Sequence, residues 1–361
     1  MFDRDAITSQ VRHNCCISDA RYAGFYSLCH LALRLRDLYK WEKGLRPWVE
    51  KDTSEISEWI EEKEALWNEV SERSFKEIFI FGKSYDPFDS MAINVEIEPH
   101  GLLYGAGYGQ SLKPTFFLAV IENKTEIEGH PLYLLGRELA RDLSTTPALS
   151  QNDCILVRKE SALPYLWDKV LFIKKSGSNA LKFALERCGL RQWYPKAPHR
   201  LLGKLFETEL DTYIYHELGE IKDTTFDPTI WKEIIAAFPH TAVELLVRSV
   251  KDLLADTNNY GPLKHIARER KTASLALYVA FLDGFSKMLF PELIEAFRIF
   301  MKTEDWSSVE QSILTGRTRA EQYADIIGSV YNRGKQHNDM DWAKKEIEKR
   351  LLKPLGVVKN R

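Results

Sequence analysis

The sequence is poor in cysteine and has no apolar stretch long enough to cross a membrane. The longest apolar run, ASLALYVAFLDGF, is interrupted by Asp283 and is too short to span ~30 Å of hydrocarbon. The polar and acidic start, MFDRDAITSQ, resembles neither a signal peptide nor a transit peptide. An odd number of cysteines in so long a chain predicts reduced thiols rather than a disulfide framework. We therefore expect a cytoplasmic protein with no membrane partner. The cysteines are Cys15, Cys16, Cys29, Cys154 and Cys188.

An excess of charge of either sign is also missing. The 361 residues include 50 basic and 52 acidic side chains, for a net charge of -2. Proteins dedicated to nucleic acids usually carry a basic domain or stripe, so the composition argues against a nucleic-acid partner. The chain has no G-x-S-x-G nucleophile elbow and no Walker lysine, and YGAGYG indicates a hairpin or bulge rather than a phosphate cradle. Whether the protein is an enzyme stays open.

The hydrophobic periodicity changes along the chain. Two long helices are predicted first, one over SDARYAGFYSLCHLALRLRDLYKWE with Ser18 or Asp19 as N-cap, and one over TSEISEWIEEKEALWNEVSER. Short runs rich in β-branched and aromatic residues follow: FKEIFIFG, MAINVEIEP, GLLYGAGYG, PTFFLAVIE and HPLYLLG. Their separations are too short for helical crossovers, which favours an antiparallel meandering sheet. RELARDL is predicted to be helical and CILVRKE to be a strand.

The segment RQWYPKAPH is typical of a linker, and only helical patterns are found beyond it. The sequence therefore predicts the α+β class, with an α+β domain over 1–195 and an all-α helical bundle over 196–361. The bundle is expected to serve as a scaffold or dimerisation unit.

The stretch YHELGE, residues 215–220, differs from the H-E-x-x-H zinc protease signature because Glu220 replaces the second histidine. On a helix, Glu209, His216 and Glu220 fall on one side together with apolar residues. Inward-facing carboxylates and histidines build metal sites in helical bundles, so these three residues are candidate ligands of Zn, Fe or Mn. A second helix must supply the remaining ligands. The alternative is a hydrogen-bonded pair at the edge of a helical core.

His240 and Glu244 have the same i, i+4 spacing, but they lie away from the apolar face of their helix. We expect both to be solvated, with Glu244 paired to Arg248.

Three further sets of residues are candidate sites. Arg21, His30 and Arg34 are candidate ligand-binding residues. His30 and Arg34 lie on a polar face of the first helix that could line a ligand cleft or face solvent. Arg21 and Arg36 project toward apolar surroundings, where a guanidinium needs a carboxylate or an anionic ligand; an internal salt bridge is the alternative. A cysteine–histidine cluster near the start could hold zinc, but its spacing matches no zinc finger. Upstream aspartates followed by AVIENK faintly match metal-dependent nucleases, and a hairpin tip is the alternative. The cluster is His13, Cys15, Cys16, Cys29 and His30, and the nuclease set is Asp86, Asp89, Glu122 and Lys124.

The stretches DARYAGFYSLCHLALRLRDLYKWEKGL, LGRELARDL and YHELGE resemble an uncharacterised family of bacterial proteins of this overall size. The resemblance covers most of the chain. It implies a bacterial cytoplasmic protein with an N-terminal and a C-terminal domain of unknown function, and it brings no catalytic residues and no cofactor.

Three functional hypotheses follow. The first is a non-catalytic interaction or ligand-binding protein, with a protein partner or a second copy of the chain held by exposed tryptophans. The second is a metal-binding bundle or metalloenzyme centred on YHELGE. The third, and weakest, is the nuclease. The tryptophans in question are Trp41, Trp48, Trp193 and Trp306.

Overall fold

A computed structural model describes residues 2–190 and 196–357 of the chain. The chain divides into two compact units, with the boundary between Asp168 and Lys169. The first unit combines helices with a sheet and the second is helical, so the predicted α+β class is confirmed. Of the predicted linker RQWYPKAPH, residues 191–195 lie outside the described residues. Within the described ranges, no helix is both long and apolar enough to cross a bilayer.

The first unit contains four helices and most of a fifth. The predicted helix start at Ser18 or Asp19 is wrong, because both residues are buried inside α1. A separate helix, α2, begins after Ser27, whose hydroxyl caps the backbone N–H of His30. The helices are α1 (Arg4–Tyr22), α2 (Leu28–Glu42), α3 (Thr53–Val70), α4 (Ser90–Ile97) and α5 (Lys159–Leu171).

Within residues 2–190 and 196–357, seven strands form two sheets. Strands β1 and β2 pair as a small antiparallel hairpin, and the other five are ordered β3-β4-β5-β7-β6. The antiparallel meander predicted for this region is present in β3, β4 and β5, whereas β5 and β7 are parallel, so the sheet is mixed. The strands are β1 (Ile78–Ile80), β2 (Lys83–Tyr85), β3 (Leu102–Tyr108), β4 (Pro114–Ile127), β5 (His130–Arg141), β6 (Ala148–Gln151) and β7 (Cys154–Arg158).

Two local predictions in this unit are wrong. MAINVEIEP is mostly the helix α4, in which Ile93 and Ile97 lie one turn apart in the core and Asp89 caps the first turn. RELARDL, rich in helix formers, supplies the end of β5, where Glu138 pairs with Ala119 of β4. Tertiary pairing overrides local helix propensity in this segment.

Apolar side chains cover both faces of the larger sheet. One face packs against α1 through Ile7, Val11 and Cys15, and the opposite face is built around Leu103 and Phe117. Alternation of side chains along each strand places successive residues on opposite faces, which explains why the buried run FFLA of β4 is apolar at every position.

The second unit is built from helices around α9. Leu246, Val250 and Leu253 of α9 are buried, and α9 packs against α7 and α14. The helices that follow α5 are α6 (Ser178–Arg187), α7 (Pro198–Lys222), α8 (Pro228–Ala237), α9 (Ala242–Thr257), α10 (Pro262–Arg268), α11 (Thr272–Phe281), α12 (Gly284–Leu289), α13 (Pro291–Thr303), α14 (Ser307–Gln336) and α15 (Met340–Ile347).

Candidate metal centre

The YHELGE stretch forms the last turns of α7, and its side chains point in different directions. Tyr215 stacks on His265 of α10, with ring centroids 3.8 Å apart. Leu218 is fully buried in the core. His216 and Glu220, one turn apart, lie together on a partly exposed side of the helix, with 29% and 18% of their side chains accessible. Solvent therefore reaches this pair.

Gly219 brings α7 close to α9. A methyl group at this position would lie 3.0 Å from the carbonyl carbon of Ala255, and closer still to its oxygen. Only a residue without a side chain permits this approach. The glycine of YHELGE therefore sets the distance between the two helices at the level of His216 and Glu220.

Helix α9 places two carboxylates opposite that pair. Asp252 and Asp256 are also one turn apart, so two i, i+4 pairs face each other across the contact between α7 and α9. Ligand atoms of His216, Glu220 and Asp252 all lie within 4.8 Å of one another. In the ranges 2–190 and 196–357, no other group of three or more His, Cys, Asp or Glu side chains has this spacing.

The second carboxylate of α9 orients the histidine. His216 donates from Nδ1 to Asp256 Oδ1 at 2.7 Å, and the hydroxyl of Tyr278 donates to Asp256 Oδ2 at 2.5 Å. The Nε2 atom of His216 then faces Glu220 Oε1, 3.9 Å away. Histidine ligands of metals commonly donate their other ring N–H to a carboxylate in this manner, which fixes both the tautomer and the ring orientation.

Carboxyl groups outnumber cations around His216. Four carboxyl groups act on one another there, and the cations that act on them are His216, Lys251 and Arg248. Burial, together with the charges of neighbouring carboxylates, raises the pKa of Asp252 and of Glu217 to about 7. Burial opposes protonation of His216, but the charge of Asp256 and its hydrogen bond raise the pKa of His216 well above the usual value. The carboxyl groups are Glu217, Glu220, Asp252 and Asp256.

The predicted ligands divide between two places. His216 and Glu220 belong to the group, whereas Glu209 does not. Glu209 lies two turns earlier on α7, is 3% exposed, and accepts a hydrogen bond from the Thr212 hydroxyl at 3.5 Å. Burial raises the pKa of Glu209 to about 8. It is a buried carboxyl group of the helical core.

The contribution of α9 was not predicted from the sequence, although a second helix was expected to supply the remaining metal ligands. The pair Asp252 and Asp256, spaced i, i+4 in KDLLADT, was the available signal. Glu244, of the i, i+4 pair His240 and Glu244, binds Arg248 at 2.9 Å, as predicted. Its predicted exposure is wrong, because Glu244 is completely buried and also accepts the backbone N–H of His240.

The candidate ligand-binding residues of the first unit have internal partners. Arg21 donates to the carbonyl oxygens of Ser71 and Arg73. Arg34 donates to Thr145 and to the ring of His30. The structure therefore brings His30 and Arg34 together and places Arg21 against a different segment.

Arg36 forms an internal salt bridge, the alternative to ligand binding, since its guanidinium lies 2.5 Å from Asp168.

The nuclease residues serve separate structural roles. Asp86 and Asp89 accept backbone N–H groups of the Phe88 turn and of α4, respectively. Glu122 pairs with Lys159, and Lys124 pairs with Glu98. The described part of the chain therefore gives these four residues no common site.

The residues of the cysteine–histidine cluster likewise form no metal-ligand group among the described residues. Cys15 is buried and donates to the Phe116 carbonyl, whereas Cys29 is exposed.

Three of the four singled-out tryptophans are partly buried. Trp41 lies between the guanidinium groups of Arg12 and Arg141, and Trp306 packs on Phe300. Trp193 lies outside the described residues.

Two family models match the chain. The Family of unknown function (DUF6866) N-terminal domain matches residues 6–158, and the corresponding C-terminal domain matches residues 164–350. The chain belongs to this family. The DUF6866 C-terminal domain contains His216, Asp252 and the residues around them, and the N-terminal domain contains the whole mixed sheet. No curated protein and no solved structure matches the chain.

Proposed function

We propose that this protein binds a divalent cation, with His216, Glu220 and Asp252 as the ligands. One observation carries the proposal: the i, i+4 pair on α7 faces the i, i+4 pair on α9, and Asp256 fixes the ring of His216. Imidazole and carboxylate ligands together suit Zn, Fe or Mn.

The electrostatics of the cluster support the same proposal. Carboxyl groups outnumber the nearby cations, and burial together with the charges of Glu220 and Asp256 raises the pKa of Asp252 to about 7. A divalent cation would neutralise the carboxylates and release the protons that are bound to them in the metal-free protein. Three protein ligands also leave coordination positions for water, as in catalytic zinc sites, so Lewis-acid chemistry is compatible with the arrangement.

A role as an interaction protein has weaker support. This role depended on exposed tryptophan side chains that anchor a partner. The rings of Trp41 and Trp306 instead contact other residues of the chain. No activity is proposed for the nuclease residues, since each has a separate structural partner.

The proposal is tested by elemental analysis of protein purified without a metal-binding tag. We expect about one equivalent of zinc, iron or manganese in the wild type and almost none in His216→Ala. The exposed His337 on the same helical unit provides a matched control, so His337→Ala should retain the metal. Metal-free wild type that also fails to take up Mn²⁺ or Zn²⁺ on reconstitution would refute the proposal.

A further inference from the structure

Lys251 is the nearest permanent cation to the proposed ligands. Its Nζ atom lies 2.6 Å from Glu220 Oε2, while the other oxygen of the same carboxylate faces His216. The ammonium group also lies 4.8 Å from the centre of the Trp231 ring. Lys251 therefore binds one proposed ligand while its ammonium group also lies over an aromatic face.

We infer that Lys251 is a tethered cation that competes with the divalent ion for Glu220 and thereby sets the affinity of the site. The inference rests on the metal-binding function proposed above. A divalent ion bound through Glu220 and His216 would be only a few ångströms from the ammonium group, and like charges at that distance repel strongly in a partly buried site. Binding of the ion is expected to break the contact of Lys251 with Glu220 and to leave the ammonium group beside Trp231.

The ring of Trp231 makes this displacement feasible. An ammonium group over the face of an indole is stabilised by the ring quadrupole, so Lys251 would not have to enter the apolar core or become fully solvated. Arg248, the other cation near this ring, binds Glu244 at 2.9 Å and acts on Glu220 only through its charge, after Lys251 and His216 in size.

A supporting role for Lys251 is the opposing interpretation. Hydrogen bonds to a ligating carboxylate can orient it, and their removal then weakens metal binding. The two roles predict opposite effects of removing the charge. Repulsion between the ammonium group and a divalent ion should outweigh one orienting hydrogen bond, since Glu220 is also fixed by its place on α7.

The test is a Mn²⁺ titration of the full-length protein by isothermal calorimetry. Lys251→Met, which removes the charge and keeps an unbranched side chain, should lower the Kd for Mn²⁺ by about tenfold or more. Lys251→Arg, which retains the charge, and Lys232→Met, at an exposed lysine of α8, should bind like the wild type. Thermal melts should show a lower Tm for Lys251→Met without Mn²⁺ and a larger rise on its addition. Lys251→Gln is the second variant if Lys251→Met does not fold.

The outcomes separate the two proposals. An unchanged or weaker affinity in Lys251→Met, with wild-type binding that is lost in His216→Ala, would overturn the competing role and leave the metal site intact. Absence of Mn²⁺ binding in both the wild type and Lys251→Met would overturn the inference together with the proposed function. Tighter binding in Lys251→Met that is abolished by adding His216→Ala would support both.

Discussion

Gly219 of α7 lies directly against the backbone of Ala255 of α9, and this contact leaves no room for a side chain. The contact falls between His216 and Glu220 on one helix and between Asp252 and Asp256 on the other. The close approach of the two backbones is therefore what allows short carboxylate side chains on α9 to reach the imidazole on α7.

Gly219→Ala should force α7 and α9 apart. We expect a loss of about 1–3 kcal/mol in the free energy of unfolding from overpacking, together with weaker Mn²⁺ binding. Gly203 provides the matched control, because it lies in the same helix and a methyl group there would meet open space. Gly203→Ala should instead stabilise the protein by about 0.5–1 kcal/mol. Urea denaturation of both variants checks the prediction, and equal effects at the two positions would contradict it.

Glu209 should make the stability depend on pH. Burial raises the pKa of Glu209 to about 8 in the folded state, against an ordinary value of 4.5. The folded state therefore keeps a proton that the unfolded state loses, and the free energy of unfolding falls as the pH rises from about 4.5 to about 8. Glu209→Gln should remove this loss, which is about 3–5 kcal/mol in total.

The stabilisation by Glu209→Gln should consequently grow with pH and level off above pH 8. Denaturation curves at a series of pH values measure it. Glu207→Gln, at an exposed glutamate of the same helix, should show no such trend. A constant difference between Glu209→Gln and the wild type across the pH range would show that Glu209 has an ordinary pKa.

Glu138 and Arg158 form a buried charged pair in the first unit, and removal of only one of the two charges should destabilise the protein. Glu138 accepts from Arg158 Nε at 2.7 Å and from Ser161 at 2.9 Å, and all three residues are buried. Arg158→Met leaves Glu138 buried without its main counter-charge and should cost about 3–5 kcal/mol. Adding Glu138→Leu removes the unpaired carboxylate but also takes a counter-charge from the buried Arg141, so the double variant should recover only part of that loss. Arg137→Met, at an exposed position on β5, is the control.

Chemical denaturation of the single and double variants gives these values directly. If Arg158→Met and Glu138→Leu destabilise the protein additively, the two side chains do not act as a pair.

The sequence was informative about the side chains that share a face of α7. Helical periodicity placed His216 and Glu220 on one side of α7, because residues four apart on a helix lie on the same face whatever surrounds them. The same periodicity could not exclude Glu209 as a metal ligand. It predicts the face of the helix on which Glu209 lies, but not its distance from ligands on another helix. Asp252 and Asp256 were missed because their role depends on how α7 packs against α9.

Sheet formation was harder to predict for the same reason. The residues around Glu138 favour a helix locally, and only pairing with β4 makes them a strand. The parallel pairing of β5 with β7 likewise depends on a connection between strands that no local pattern specifies.

The most direct test of the metal site is anomalous diffraction from crystals of the full-length protein equilibrated with Mn²⁺, recorded on both sides of the manganese absorption edge. We expect one strong anomalous peak between α7 and α9, about 2.0–2.3 Å from His216 Nε2 and from oxygens of Glu220 and Asp252. His216 Nδ1 should remain bonded to Asp256. A peak at other residues, or no peak between these helices at millimolar Mn²⁺, would contradict the proposed metal site.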